Sequence, residues 1–420
     1  MKQIQEKEFD HKVLGKKLDL FTFSETVGKG LPLWTPKGSV VRRELERFVV
    51  DEETKRGYQH VYTPDIANLA LYKKSGHYPY YKDSMYAPIV IDDEQYMLRP
   101  MTCPHHFELY LSKPHSYKEL PIRYAELAKL YRYEQSGELM GLIRTRSFCL
   151  ADAHIICTKA QASEELNSVL DLVEYVTKTL GLKYYQDDSE RGDFYYRLSL
   201  GNRKDTKKYY KDDKAWDDAE NILREVLEKR KLVFTEMPNE AAFYGPKIDI
   251  QMWNANGKED TAITIQYDFV MPKRFKLTYI DEKGEKEEPV VIHRSSIGAI
   301  ERIVAFLIEK YKGAFPVWLS PVQVKVLPIT DRNIDFGVKI VKELKEKNIR
   351  VELDDRNETL QAKIRDAQNE KVSYMLIIGD KEEKANKIAV RARDGKDLGQ
   401  LTLNDFLQRI REEIENKATI

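Results

Sequence analysis

The chain has 420 residues, too many for one ordinary domain, so two to three domains are expected. Lys+Arg and Asp+Glu both number 69, a balance that excludes no class of partner, since clustered basic residues still bind nucleic acid. The 10% aromatic content argues against disorder, three cysteines imply no disulfide framework, and neither a signal peptide nor an apolar run of roughly 20 residues is present, so a cytoplasmic protein without membrane spans is expected.

In chain order, Val40 to Glu53 reads as a helix with Val41, Leu45, Phe48 and Val49 on one face, followed by a short strand from His60 to Thr63 that ends at Pro64. Strands carrying charged and aromatic residues follow, a pattern that suits a mainly antiparallel sheet in an α+β domain. Thr158 to Lys231 reads as mostly helical and charged, an insertion or flanking subdomain. A boundary falls near Gly313 to Pro321, where two prolines and a glycine end a helix.

Beyond it, strands at Val322–Ile329, Ile349–Leu353, Ser373–Ile378 and Lys387–Arg393 alternate with helices at Ile334–Lys347 and Glu358–Glu370. Asn404 is expected to cap a last helix from Asp405. This alternation predicts a compact α/β domain of roughly 100 residues.

Three segments carry candidate chemistry. Gly57 to Pro64 reads as an ordinary connection from helix to strand. Arg132-Tyr133-Glu134 and Arg144-Thr145-Arg146-Ser147-Phe148 sit at the mouth of an expected hairpin. Guanidinium forks match phosphate oxygens, and Phe148 can stack on a base. His293-Arg294 precedes Gly298 and Arg302, and an i, i+4 spacing would put the last two on one helix flank. Cys103, His154 and His293 form a sound three-ligand set for zinc, but the spacing is too wide to fix it, and His105 and His106 stay open beside them.

Taken together these residues resemble the catalytic and anticodon-binding domains of the threonyl-tRNA synthetases, over nearly the whole chain. Matching stretches include Asp10 to Leu20, Lys73-Lys74-Ser75-Gly76-His77, Leu98 to Pro104, Ala242 to Lys247 and Ile265 to Phe269. Gly57 to Pro64 with the preceding helix resembles class II motif 1, Arg132 to His154 motif 2 with its continuation, and His293 to Arg302 motif 3.

The resemblance implies an α+β catalytic domain with an antiparallel sheet of class II synthetase type over residues 1–317, its helical insertion at about 158–231, and an α/β anticodon-binding domain over 318–420. It implies that L-threonine is activated with ATP and Mg²⁺ and transferred to tRNA(Thr) by a cytoplasmic homodimer, the motif 1 helix packing across a two-fold axis. Zinc falls on Cys103, His154 and His293. Arg132 falls on the α-phosphate and substrate carboxylate, Glu134 on the adenine, Phe148 beneath it, Arg144 on the γ-phosphate side and Arg302 on the opposite face of the phosphates. Asp152, Tyr244, Lys247 and Gln266 match the amino-acid pocket, and Asn357, Arg365, Glu382 and Arg391 match anticodon contacts.

Two places depart from the pattern. Thr102 stands where many relatives have asparagine, and Leu150-Ala151 where they have Gln-Asp. No N-terminal editing region is expected, because the catalytic domain begins almost at Met1. The alternatives are a related class II synthetase, such as one for proline, and a non-catalytic RNA-binding paralogue, which would be expected to lose an ATP-site arginine.

Overall fold

The computed structural model of the chain describes residues 9–185 and 192–418. Two compact units emerge. One holds Phe23–Pro32 and Glu46–Ala305, and the other joins the N-terminal segment as far as Thr22, Leu33–Leu45 and the chain from Phe306 onward.

The first unit is built on an eight-stranded sheet of β1 (Gln59–His60), β2 (Ile122–Tyr131), β3 (Ser147–Cys157), β4 (Phe194–Ser199), β5 (Phe234–Met237), β6 (Lys247–Trp253), β7 (Glu259–Asp268) and β8 (Val290–Ala299). Their spatial order is β5-β4-β6-β7-β8-β3-β2-β1. The five inner pairs are antiparallel, and the outermost pair at each edge is parallel. Strand β8 is buried at every position, as a central strand covered on both faces must be.

Among the helices that accompany this sheet are α1 (Pro36–Lys55), α2 (Cys103–Leu111), α3 (Ala162–Thr179), α4 (Asp213–Lys229) and α5 (Ile300–Lys310), the division between the units falling inside α1 after Leu45 and inside α5 after Ala305. Helix α3 buries Leu166, Val169, Leu170, Val173 and Val176 at helical spacing. The apolar face of α1 is also buried, with Val41, Leu45, Phe48 and Val49 at most 3% exposed. A single chain already covers the face that the motif 1 reading assigned to a two-fold axis.

The expected helical insertion is corrected. Helices α3 and α4 flank β4, which enters the main sheet between β5 and β6. Phe194, Tyr196 and Leu198 alternate with more polar residues at period 2, a signal outweighed by the surrounding charged helices. Residues 186–191 of that stretch lie outside the described residues.

The second unit contains a mixed sheet of β9 (Val324–Pro328), β10 (Val351–Leu353), β11 (Tyr374–Ile378), β12 (Ile388–Ala392) and β13 (Asp397–Leu401), in the order β10-β9-β11-β12-β13. The first three run parallel, and β12 and β13 return antiparallel. Helices α6 (Ile334–Glu346), α7 (Leu360–Asn369), α8 (Asp380–Ala385) and α9 (Leu403–Glu415) complete it. Helices α6 and α9 bury Ile340, Leu344, Phe406 and Ile410 against one face, while α7 packs Ala367, Leu360 and Ile364 on the other.

The last helix is capped by Thr402 rather than Asn404. The Thr402 side chain accepts from the Asp405 amide, and Asn404 lies inside α9. Helix α8 and strand β13 were not foreseen, being short and largely exposed. Among the described residues no helix is long and apolar enough to cross a membrane.

Candidate active site

Cross-strand register assembles the site. Tyr124, His154, His293, Gln266, Lys247 and Ser199 are successive partners across β2, β3, β8, β7, β6 and β4. Two residues along the same strands, Glu126, Asp152 and Ser295 are partners, as are Thr264, Asp249 and Arg197. Side chains alternate along a strand, so both rows project from one face of the sheet.

That face lines a cavity of about 610 Å³, bordered also by Cys103, Arg132, Glu134, Arg144, Phe148, Tyr244 and Arg302. Every residue expected at the ATP, threonine and metal sites lines this one cavity. Sequence reading passed over Tyr80, Tyr81, Glu240, Thr264 and Glu301, which line it too. Period 2 from Gln266 would have found Thr264; the others come from loops or from a helix and carry no such signal.

One end holds the ligand set. Cys103 opens α2, and one donor atom each from Cys103, His154 and His293 lie within 4.8 Å of one another. His293 Nε2 is 2.7 Å from Asp268 Oδ2, and His154 Nδ1 is 2.8 Å from His106 Nδ1. The remaining nitrogens, Nδ1 of His293 and Nε2 of His154, are the ones left for the cavity. Burial, then the nearby His293 and His106, hold His154 well below the ordinary histidine range, so it is neutral with a lone pair to give. Burial and the carboxylates of Asp152 and Asp268 push the Cys103 thiol up. One sulfur and two imidazole nitrogens beside two carboxylates fit zinc, which would relieve this concentration of negative charge.

The middle is held by paired polar groups. The Tyr244 ring stacks on His293 at 5.0 Å, and its hydroxyl donates to Gln266 Oε1 at 2.6 Å. Lys247 Nζ donates to Asp249 Oδ2 at 2.7 Å. Asp249 is fully buried and also accepts from Ser199, Arg197 and Thr264. Asp152 Oδ2 lies 3.9 Å from His154 Nε2, beside the metal end. Its own pKa is raised, burial outweighing the nearby His106, His293 and Arg294.

The other end is cationic. Arg132 follows β2, and its guanidinium lies 5.2 Å from the Phe148 ring centre on β3. Arg144 lies 3.9 Å from Glu134 and 3.8 Å from Glu138, with half its side chain exposed. Arg302 donates to the Ile143 carbonyl at 3.0 Å and also to that of Thr261. Burial lowers the pKa of both Arg132 and Arg302, and Arg132 and Arg144 add to the effect on Arg302. A polyanion placed among them would offset that cost.

The shared helix flank for Gly298 and Arg302 is corrected. Gly298 belongs to β8, at a register shift between Ser295 and Ala299, and α5 begins only at Ile300. Its φ is +78°, and a Cβ there would stand 2.0 Å from the Ala262 carbonyl oxygen.

In the second unit, Asn357 follows β10, Arg365 projects from α7, Glu382 lies on α8 and Arg391 on β12. Arg391 pairs with Met375, and Gln400 with Ala389, on the face opposite α6 and α9. Glu382 Oε1 accepts from Gln400 at 2.7 Å, so Glu382 and Arg391 share that face. The Arg365 side chain is 71% exposed.

Residues 86–311 match the family described as tRNA synthetase class II core domain (G, H, P, S and T), and residues 323–413 match the anticodon binding domain. The chain is 48% identical over 416 residues to the threonine--tRNA ligase of Geobacillus sp. (strain WCH70), covering 99% of this chain and 63% of that protein. It is 47% identical to the enzyme of the same name from Staphylococcus carnosus (strain TM300), covering 99% of this chain and 64% of that protein. The chain thus spans less than two thirds of the length of these curated relatives.

A crystal structure described as the RNA binding domain of threonyl-tRNA synthetase from Cryptosporidium parvum Iowa II superposes with a TM-score of 0.89 at 35% identity, covering 96% of this chain and 98% of that one. A putative threonyl-tRNA synthetase from Aeropyrum pernix gives 0.83 at 28% identity, with 97% of each chain covered. On these matches the chain belongs to the class II aminoacyl-tRNA synthetases, within the threonyl-tRNA synthetase family, and carries their core and anticodon-binding domains.

Proposed function

We propose that this chain activates L-threonine with ATP and transfers it to tRNA(Thr), as a cytoplasmic threonine--tRNA ligase. The observation that carries this reading is one cavity with a Cys-His-His ligand set at one end and arginines at the other. A threonine carboxylate oxygen attacks the α-phosphorus, and pyrophosphate leaves with its Mg²⁺. A terminal tRNA hydroxyl then displaces AMP from the adenylate.

Arg132 holds the α-phosphate and substrate carboxylate, Arg144 the γ-phosphate side, and Arg302 the opposite face. Charge growing on the phosphate oxygens meets cations already in place. Phe148 stacks under the adenine and Glu134 reads its edge. Cys103, His154 and His293 would hold zinc, which would supply a Lewis acid for recognising the threonine amino group and hydroxyl. Asp152 accepts the hydroxyl's hydrogen bond, while Tyr244, Lys247 and Gln266 close the pocket. We place the catalytic part in residues 1–317 and the anticodon reader in 318–420, with Asn357, Arg365, Glu382 and Arg391 on unstacked bases. A count of three cysteines in 420 residues suits a reducing compartment.

The homodimer remains part of this reading, but on a different surface from the face of α1. Tyr62 is 95% exposed, and Ile89, Val90 and Ile91 form an exposed apolar strand, more than a lone surface side chain requires.

ATP–pyrophosphate exchange with each amino acid tests the activity. Threonine should drive exchange, serine should do so roughly 10- to 200-fold less well, and valine, which lacks the hydroxyl, should be rejected by roughly 10⁴-fold or more. Exchange driven by proline alone, or by no amino acid, would refute the proposal.

A further inference from the structure

We infer that His106 and Glu126 are positioning residues for His154, forming a hydrogen-bonded relay that fixes which nitrogen of His154 faces the cavity. The inference rests on the zinc reading and deepens it. His106 is fully buried on α2, the helix that Cys103 opens. Its ring meets His154 edge-on, with centroids 4.8 Å apart at 88° and Nδ1 to Nδ1 at 2.8 Å. Its other nitrogen, Nε2, lies 3.3 Å from Glu126 Oε2.

Glu126 is anchored in turn. Arg99 Nη1 lies 3.0 Å from Oε1, and the Thr63 hydroxyl donates to Oε2 at 2.7 Å. Arg99 is itself buried and held by the Lys129 carbonyl and by Asp65.

The proton positions follow from the far end of the chain. A carboxylate only accepts, so His106 carries its proton on Nε2 and presents a bare Nδ1. His154 must then donate from Nδ1, which leaves its Nε2 lone pair free for the metal. A metal-bound imidazole whose second nitrogen donates toward a carboxylate is oriented and made more basic by it. His293 receives this support directly from Asp268 at 2.7 Å. The carboxylate on the His154 side sits one row along the sheet, opposite Asp152 instead of His154, and the His106 ring bridges the gap.

The relay predicts more than lost packing. In Glu126→Gln the new amide can donate to His106 Nε2. His106 would then donate to His154 Nδ1 and move the His154 proton onto the ligand nitrogen.

The test is zinc affinity, measured by competition with a chromogenic chelator on the full chain, for wild type, Glu126→Gln and His106→Gln. Both variants should bind zinc roughly 10- to 100-fold more weakly. Variants that hold zinc as tightly as a zinc-binding wild type would overturn the relay. A wild type that takes up no zinc would instead overturn the metal reading beneath it. If the variants do not fold, long-range ¹H–¹⁵N correlation on histidine-labelled wild type decides: protons on Nδ1 of His154 and Nε2 of His106 are expected, and a proton on Nδ1 of His106 would refute the proposal.

Discussion

His77 is fully buried, with Nδ1 2.7 Å from Ser75 Oγ, and its pKa is pushed down to about 3. Burial is the main cause, followed by the neighbouring His293, Arg274 and Arg132. The folded value lies below the unfolded one, so between them the unfolded chain binds more protons. Stability should therefore fall as the pH drops from about 6.5 toward 3, by about 1 kcal/mol per pH unit from this residue. Urea unfolding at pH 7, 6 and 5 checks it, with His77→Gln expected to flatten the slope by that amount. An unchanged slope would mean that His77 titrates as in water. At this scale the sequence supplied chemistry and no environment: His77 stood out within Lys73-Lys74-Ser75-Gly76-His77, but nothing in that run says it is buried among cations.

Among the elements, β8 carries the sharpest local requirement. Gly298 sits at positive φ against the Ala262 carbonyl, at the register shift just before α5 delivers Arg302 to the cavity. Gly298→Ala adds left-handed strain of about 1–2 kcal/mol to a backbone clash, so a loss of more than about 2 kcal/mol in denaturant unfolding is expected, together with weaker exchange activity. Stability within about 0.5 kcal/mol of wild type would show that the bulge rearranges freely.

Helix α1 makes a second case. Leu45 is fully buried, so Leu45→Ala should cost about 2–5 kcal/mol without changing the sedimenting mass. Val90→Glu, on the exposed strand, should do the reverse and convert the proposed dimer to monomer near 49.2 kDa. A wild type that already sediments as a monomer removes the dimer.

At the scale of the whole molecule, the two matched domains divide the labour proposed for the chain. The proposed anticodon contacts lie in the unit that contains β9–β13, and every residue lining the cavity belongs to the other. Arg365→Ala and Arg391→Ala should therefore lower aminoacylation while sparing threonine-dependent exchange. The loss of one base contact is worth about 1–3 kcal/mol. Parallel losses in both assays would place these arginines in folding or in the catalytic step.

Periodicity alone determined the elements long enough to carry a pattern, among them α1, α6 and most of the C-terminal strands, because burying one face imposes its period on the residues. Side-chain type determined the candidate chemistry: arginines at a hairpin mouth, and a Cys-His-His set. What the sequence left open was register. Cys103, His154 and His293 are separated by stretches that no local rule spans; β3 pairing with β8 sets His154 opposite His293, and Cys103 joins them from the start of α2. A slip of one residue would turn either histidine to the opposite face. The membership of β4 in the main sheet and the relay through His106 and Glu126 were likewise decided by tertiary structure. Each depends on which strands lie side by side, a nonlocal outcome of packing that composition and spacing do not encode.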